Sequence, residues 1–171
     1  MNLKSHLSFA VAICFGLAAG PALAASVRVA SSAPYAEDAE ISSKIRTECV
    51  QLQTQLPAYT AQFGKEFGVE VALADDVSPR DAGRVLQLEI YEAVSMGNAF
   101  IGHQKYSKVR GTLFEDGQEV AGFKGMRNSM GGAFGGYKGS CSVLGRTVKA
   151  LGKDIAQWLV NPQDGALLGD L

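Results

Sequence analysis

One stretch of the chain carries the residue types that best fit ligand chemistry. It is NSMGGAFGGYKGSCSVLG at 128–145, which combines a run of glycines with a lysine and several serines. Lys138, Ser140 and Ser142 lie where a helix is predicted to begin, and backbone N–H groups at a helix start can hold a small anion. A glycine-rich turn that joins a strand to a helix, with Ser140 or Ser142 as its N-cap, is the alternative.

The same stretch does not fit a nucleotide-binding loop. A P-loop lysine directly follows a glycine and directly precedes serine or threonine, whereas Lys138 stands between Tyr137 and Gly139. A G-x-G-x-x-G fingerprint is also missing from the sequence. The corner at 131–142 therefore predicts, at most, a site for a small ligand or anion.

The sequence offers no grouping typical of nucleophilic catalysis. Its serines lack both the G-x-S-x-G context and an S-x-x-K pair. His103 is predicted to lie in a loop, and a cysteine–histidine enzyme would need Cys49 or Cys141, which fit a disulfide better. We predict no catalytic residue, metal or cofactor. An enzyme of unfamiliar type at 131–142, with Lys138 and His103, remains the rival hypothesis.

The first 24 residues have the pattern of a secretory signal peptide. Lys4 precedes an apolar run over 7–19, and Ala-Leu-Ala at 22–24 predicts cleavage after Ala24. A membrane anchor is the alternative, but the run is shorter than the ~20 residues that span a bilayer. Cys14 lies inside the run without the preceding small residue of a lipoprotein signal. We expect a periplasmic or secreted protein without stable membrane insertion.

The net charge of the exported chain limits the classes of partner that it is expected to bind. Removal of Lys4 leaves 15 basic residues against 17 acidic ones, and 15 − 17 gives a net charge of −2. No strong positive field favours nucleic acid. The remaining length suits one domain, which we divide into a loose arm at 25–40, a domain at 41–162 and a flexible tail at 163–171.

Two cysteines remain after the signal peptide. An exported protein meets an oxidising compartment, so Cys49 and Cys141 predict a disulfide, with two buried thiols as the alternative. The bridge would close a loop of 92 residues, from 141 − 49.

Hydrophobic periodicity predicts two main helices. Apolar residues recur every three or four positions from Ile41 to Phe67, although Pro57 interrupts them, and we favour a helix from about Val50. The segment 41–49 fits either helix or strand. A second stripe marks a helix from about Ser142 to Val160.

Strand patterns lie between these helices. Alternation predicts strands at VEVAL (69–73) and RVLQLEIYEAV (84–94), and Asp116-Gly117 predicts a hairpin turn. Counting outward from the turn pairs Leu113 with Val120 and Gly111 with Gly122. This register places four partner-binding candidates on the open sheet face: Tyr91, Arg110, Phe114 and Phe123. A covering N-terminal arm is the alternative.

The order of strands, hairpin and RNSMGGAFGGYKGSCSVLGRTVKALGKDIAQWL (127–159) resembles a family of envelope proteins of Gram-negative bacteria, many of them lipoproteins. The wider group is similar to the amino-terminal domain of TolB and to lipoprotein activators of cell-wall synthases. The resemblance covers about residues 69–160 and implies a small accessory domain of envelope assembly. It carries over no catalytic residue.

These observations predict an α+β fold, a two-layer sandwich. A mainly antiparallel sheet of four or five strands would carry two helices on one face. The predicted function is a non-catalytic periplasmic binding or envelope-assembly module with an envelope protein as partner.

Overall fold

The computed structural model describes residues 26–98, 102–129 and 139–171, apart from the side chains at 97, 98, 102 and 103. The predicted signal peptide and residues 130–138 lie outside the described residues. The strands are β1 (Val27–Ala30), β2 (Tyr35–Ile41), β3 (Val71–Ala74), β4 (Arg84–Asn98), β5 (Gly102–Glu115), β6 (Gln118–Asn128) and β7 (Ala166–Gly169). The helices are α1 (Ser43–Glu48), α2 (Gln51–Glu66) and α3 (Ser140–Trp158).

The seven strands form one mixed sheet in the order β3-β1-β4-β5-β6-β7, and β2 pairs with a later part of β4. Only the β4–β5 and β5–β6 pairs are antiparallel; the others are parallel. The predicted two layers with two main helices are confirmed. The prediction of a mainly antiparallel sheet of four or five strands is wrong.

Both ends of the described chain belong to the sheet. The predicted loose arm contains β1, whose Val27 and Val29 are buried between β3 and β4. The predicted flexible tail contains β7, which pairs with β6. These strands were missed because each has only four residues and pairs in parallel with residues distant in the chain.

The helices cover one face of the sheet. The predicted stripe of α3 is buried against the sheet and α2. Pro57 lies inside α2, as the favoured interpretation required, and residues 43–48 form the separate helix α1. At Gly152 the two long helices come so close that an added Cβ would lie 2.6 Å from the Cβ of Tyr59. The core is therefore one apolar layer between sheet and helices.

The predicted disulfide between Cys49 and Cys141 is present. Cys49 is buried and follows α1, and Cys141 is the second residue of α3. The bridge thus fixes the start of the last helix to the junction of the first two.

The β5–β6 hairpin has the predicted turn but not the predicted register. Asp116 and Gly117 both have positive φ, which suits a two-residue hairpin turn. A β-bulge at Val120 separates the Phe114–Glu119 pair from the Leu113–Ala121 pair, so Leu113 pairs with Ala121 rather than with Val120. Val120 is consequently 45% exposed. One extra residue in β6 reverses the face of every later side chain.

Gly111 and Gly122, which were expected to pair with each other, lie on opposite faces of the sheet. Gly111 pairs with Phe123 on the helix-covered face, and Gly122 pairs with Thr112 on the open face. A Cβ at Gly111 would lie 2.4 Å from the Phe123 ring, whereas a Cβ at Gly122 would meet nothing closer than 3.5 Å.

This difference predicts opposite tolerance to alanine. Gly111→Ala should lower the free energy of unfolding by about 1 to 3 kcal/mol, because the Phe123 ring must move within a packed core. Gly122→Ala, the matched control, should leave stability unchanged. Urea unfolding of both variants measures the effect, and equal stabilities would contradict the bulged register.

Candidate functional site

The open face of the sheet carries a cleft beside the C-terminal strand. Its volume is about 440 Å³. Strands β5 and β6 form the floor, and the segment that leads into β7 forms one wall. The cleft is lined by Arg110, Gly111, Thr112, Gly122, Phe123, Lys124, Asp164, Gly165, Ala166 and Leu167.

Small residues and a hydrogen bond shape this cleft. Gly122 and Thr112 are cross-strand partners, so the floor lacks large side chains at that pair. Asp164 Oδ1 accepts a 2.8 Å hydrogen bond from the Gly122 N–H, which ties the C-terminal segment to the sheet. The wall and the floor are therefore fixed to each other.

Arg110 is held in place at one end of the cleft. Its guanidinium donates two hydrogen bonds to Asp38 of β2, at 3.0 and 3.2 Å, and one of 2.8 Å to Glu89 of β4. These hydrogen bonds raise the pKa of Arg110 further and lower the pKa of Asp38. Arg110 Cζ also lies 5.9 Å from the centre of the Tyr91 ring. Two carboxylates therefore fix and largely neutralise this cation.

Lys124 is the cross-strand partner of Arg110. Like charges in directly opposed positions repel each other. Arg110 forms ion pairs with Asp38 and Glu89, but Lys124 is exposed and has no ion pair among the described residues. Lys124 thus supplies an uncompensated positive charge at the cleft, and Asp164 supplies a negative one on the wall.

A second polar cluster lies further along the same face. Glu92 accepts hydrogen bonds from the Tyr106 hydroxyl and from Lys108 Nζ, the latter at 2.5 Å. Burial of the Glu92 carboxyl opposes ionisation, yet the bonds from Lys108 and Tyr106 outweigh it and lower its pKa. The hydrogen bond to Glu92 raises the pKa of Tyr106 and, in the same way, that of Lys108. The cluster satisfies its own charges and stabilises the β4–β5 pair.

Three of the four predicted partner-binding residues lie away from the helix layer. Arg110 lines the cleft, Phe114 is half-buried near the hairpin turn, and Tyr91 occupies a bulge in β4 beside Arg110. Phe123 is the exception. It is 4% exposed and packs edge-to-face on Trp158 of α3, because the β6 bulge turns it into the core.

The cleft also contains residues that sequence reasoning missed. Lys124 was not selected because the predicted register lacked the bulge and so placed Phe123, rather than Lys124, on the open face. Asp164 and Leu167 were not selected because residues 163–171 were interpreted as a tail. The turn-forming Asp164-Gly165 before an apolar triplet was the local signal of another strand.

The predicted anion corner is only partly described. Lys138 and the glycines at 131–136 lie outside the described residues, as does the side chain of His103. The N-cap of α3 is Gly139, so neither Ser140 nor Ser142 occupies that position. Ser140 Oγ accepts a 2.8 Å hydrogen bond from Ser95 Oγ. Its hydroxyl therefore connects α3 to β4.

Within the described ranges, no group of three or more His, Cys, Asp or Glu side chains is placed to hold a metal ion. Over the same residues, none of the helices has the length and apolar character to cross a membrane.

Comparisons with known proteins give structural relatives. No protein-family model matches the sequence. No curated protein matches it either. Protein XCC0632 of Xanthomonas campestris, of family DUF330, has a TM-score of 0.54 at 12% identity, over 82% of this chain and 87% of its own. This match indicates a shared fold.

Two further solved structures are similar at lower scores. A dodecamer of a PelC variant from Paraburkholderia phytofirmans has a TM-score of 0.48 at 21% identity, over 78% of this chain and 91% of its own. Lipoprotein GNA1162 from Neisseria meningitidis has a TM-score of 0.47 at 16% identity, over 78% of this chain and 99% of its own.

Proposed function

We propose that this protein is a non-catalytic, extracytoplasmic binding module that recognises an envelope protein at the open face of its sheet. The observation that carries the proposal is the cleft of about 440 Å³ between β5, β6 and the segment that leads into β7. Binding sites combine concave shape with a few polar groups in fixed positions. This cleft has a fixed Arg110, a Lys124 without an ion pair among the described residues, and an Asp164 carboxylate that is held by the Gly122 N–H.

The surroundings of Arg110 support recognition rather than reaction. A residue that is pre-positioned by neighbouring carboxylates loses little freedom when a partner binds. Asp38 and Glu89 hold the guanidinium from β2 and β4, so three strands contribute to one charged centre. Such an arrangement provides orientation and specificity for a polar partner.

The disulfide supports the extracytoplasmic location in this proposal. Structural disulfides persist in oxidising compartments such as the periplasm and are rare in the cytosol. The Cys49–Cys141 bridge is internal to the fold and joins two helical segments. The envelope is therefore the proposed place of action.

Site-specific photocrosslinking in the living cell tests this function. A photoreactive amino acid at Thr112, within the cleft, should give a discrete adduct with an envelope protein. The control position is Lys153, which is exposed on α3. The third position is Ser142, also exposed, at the edge of the glycine-rich corner.

The three positions separate the hypotheses. An adduct at Thr112 alone supports the cleft. An adduct at Ser142 alone would move the binding site to the corner at 131–142, which is the rival small-ligand or enzyme hypothesis. Adducts of equal strength at all three positions would indicate non-specific contact and contradict the proposal.

A further inference from the structure

The two halves of the disulfide differ in how easily a reagent reaches them. Cys49 is 1% exposed and belongs to the apolar core, whereas Cys141 is half-buried at the start of α3. Thiol–disulfide exchange begins when a thiolate attacks one sulfur of the bridge. Cys141 is therefore the more accessible target in the folded protein.

Attack on this accessible sulfur expels the less stable thiolate. A reductant that attacks Cys141 Sγ forms a mixed disulfide there, the S–S bond breaks, and its electron pair leaves on Cys49 Sγ. Exchange is slow when the leaving thiolate is poorly stabilised. Cys49 lies in the core, where a charge lacks the solvation that it has in water. This route is therefore unfavourable.

The opposite route has a better leaving group but lacks access. Attack on Cys49 Sγ would expel the Cys141 thiolate, and Cys141 is the second residue of the 19-residue helix α3. Free N–H groups in the first turn of a helix stabilise a thiolate. The burial of Cys49, however, leaves no path for a second sulfur. The fold thus blocks the two routes of exchange by different means.

The junction between α1 and α2 keeps Cys49 covered. The Cys49 N–H donates to the Ile45 carbonyl oxygen at 2.9 Å, and the Leu52 N–H donates to the Cys49 carbonyl oxygen at 3.1 Å. Ile45 of α1 is 5% exposed and belongs to the core. A helix of six residues such as α1 is not stable without such packing. Access to Cys49 therefore requires this junction to open.

We propose that the bridge exchanges only in chains whose α1–α2 junction is open, and that a dithiol–disulfide oxidoreductase must therefore oxidise the exported chain before its core closes. In that reaction the two thiols lose two electrons and two protons, and the disulfide of the oxidoreductase is reduced to a dithiol. In the folded protein, formation and reduction of the bridge both involve the covered Cys49 sulfur, so both are slow. The bridge lies on the helix side of the sheet and the cleft on the open face, so neither proposal depends on the other.

The first test measures how fast dithiothreitol reduces the folded parent protein at mildly alkaline pH. Samples are quenched with acid, and a maleimide that adds mass to each free thiol reports the reduced fraction on a gel. The folded protein should react about 100-fold more slowly than the same protein unfolded in urea, because the bridge reacts only during rare local opening. Reduction that is carried to completion still gives the reduced protein. Equal rates in the folded and unfolded protein would overturn the proposal.

Ile45→Ala tests the role of the junction. The variant should speed the reduction about tenfold, because it removes the apolar side chain that holds α1 on the core. Gly111→Ala is the matched control, since it is expected to weaken the fold within the sheet and away from the bridge. It should leave the reduction rate within about twofold of the parent rate. Equal acceleration by both variants would show that the bridge reacts through global unfolding and would overturn the role of the junction.

A measurement on the parent alone keeps the proposal testable if Ile45→Ala fails to fold. The effect of urea on an opening reaction scales with the surface that the opening exposes. Release of the six-residue α1 exposes little surface, so the reduction rate should change little with urea below the unfolding transition. A rate that rises with urea as steeply as the unfolded fraction would contradict local opening.

The reverse reaction tests the order of oxidation and folding. The reduced protein is refolded either before or during exposure to oxidised glutathione, and formation of the bridge is followed by the same gel assay. Protein that has refolded first should form the bridge about 100-fold more slowly than protein that refolds in the presence of the oxidant. Equal rates would show that oxidation can follow folding and would overturn the proposed order.

Discussion

Cys141→Ser should lower the free energy of unfolding by about 4 to 5 kcal/mol in oxidising buffer, because the native bridge closes a long loop of the unfolded chain. The two cysteines are 92 residues apart in the sequence. At this chain length such a loss corresponds to a drop in Tm of roughly 10 to 15 °C. Thermal unfolding followed by circular dichroism measures it.

Reduction provides the internal control for the disulfide. Cys49→Ser should lose at least as much stability as Cys141→Ser, because Cys49 is the more buried of the two. Treatment of the parent protein with a reductant should bring it to about the level of Cys141→Ser. The reductant should leave the variants unchanged. A parent that unfolds at the same temperature with and without reductant would contradict this account.

Gly152→Val should destabilise the protein by about 2 to 3 kcal/mol, because the added side chain overpacks the contact between α2 and α3. Even the first added carbon would lie 2.6 Å from Tyr59 Cβ and 3.0 Å from the backbone nitrogen of Thr60. Backbone atoms cannot rotate away, so the two helices must separate. Urea unfolding at a fixed pH measures the change.

Gly145→Val, on the same helix, is the matched control. A Cβ at Gly145 would meet only the side-chain amide of Gln55, with Oε1 nearest at 3.2 Å, and this group is the end of a flexible side chain. We expect this variant to lose no more than about 1 kcal/mol, because only the Gln55 side chain has to move and valine has a better helix propensity than glycine. Similar losses at both positions would show that the contact between α2 and α3 at Gly152 does not determine the effect.

The sequence predicted the features that depend on local periodicity. The stripe of α3, the course of α2 through Pro57 and the Asp116-Gly117 turn follow from the spacing of residues that are close in the chain. The disulfide followed from the predicted compartment and the only available pair. These features need no knowledge of distant partners.

The features that were missed depend on pairing between distant residues. Strands β1 and β7 have four residues each, and their burial comes from partners far along the chain. The bulge at Val120 adds one residue to β6 and moves Phe123 from the predicted binding face into the core. Both errors affected the candidate site, because the bulge and β7 together form the cleft.

The position of β1 inside the sheet has a consequence for how the chain folds. Val27 pairs with Val71 on one side and with Arg84 on the other, so the first strand of the described chain must wait for partners that follow it by 71 − 27 = 44 and 84 − 27 = 57 positions. Contacts between distant residues slow folding, because the chain loses entropy before those contacts form. In a chain that emerges N-terminus first, β1 therefore stays unpaired until its partners in β3 and β4, which begin at Val71 and Arg84, are also free. Such a delay suits the proposed export of this chain, which would require it to pass through a narrow pore before the sheet closes.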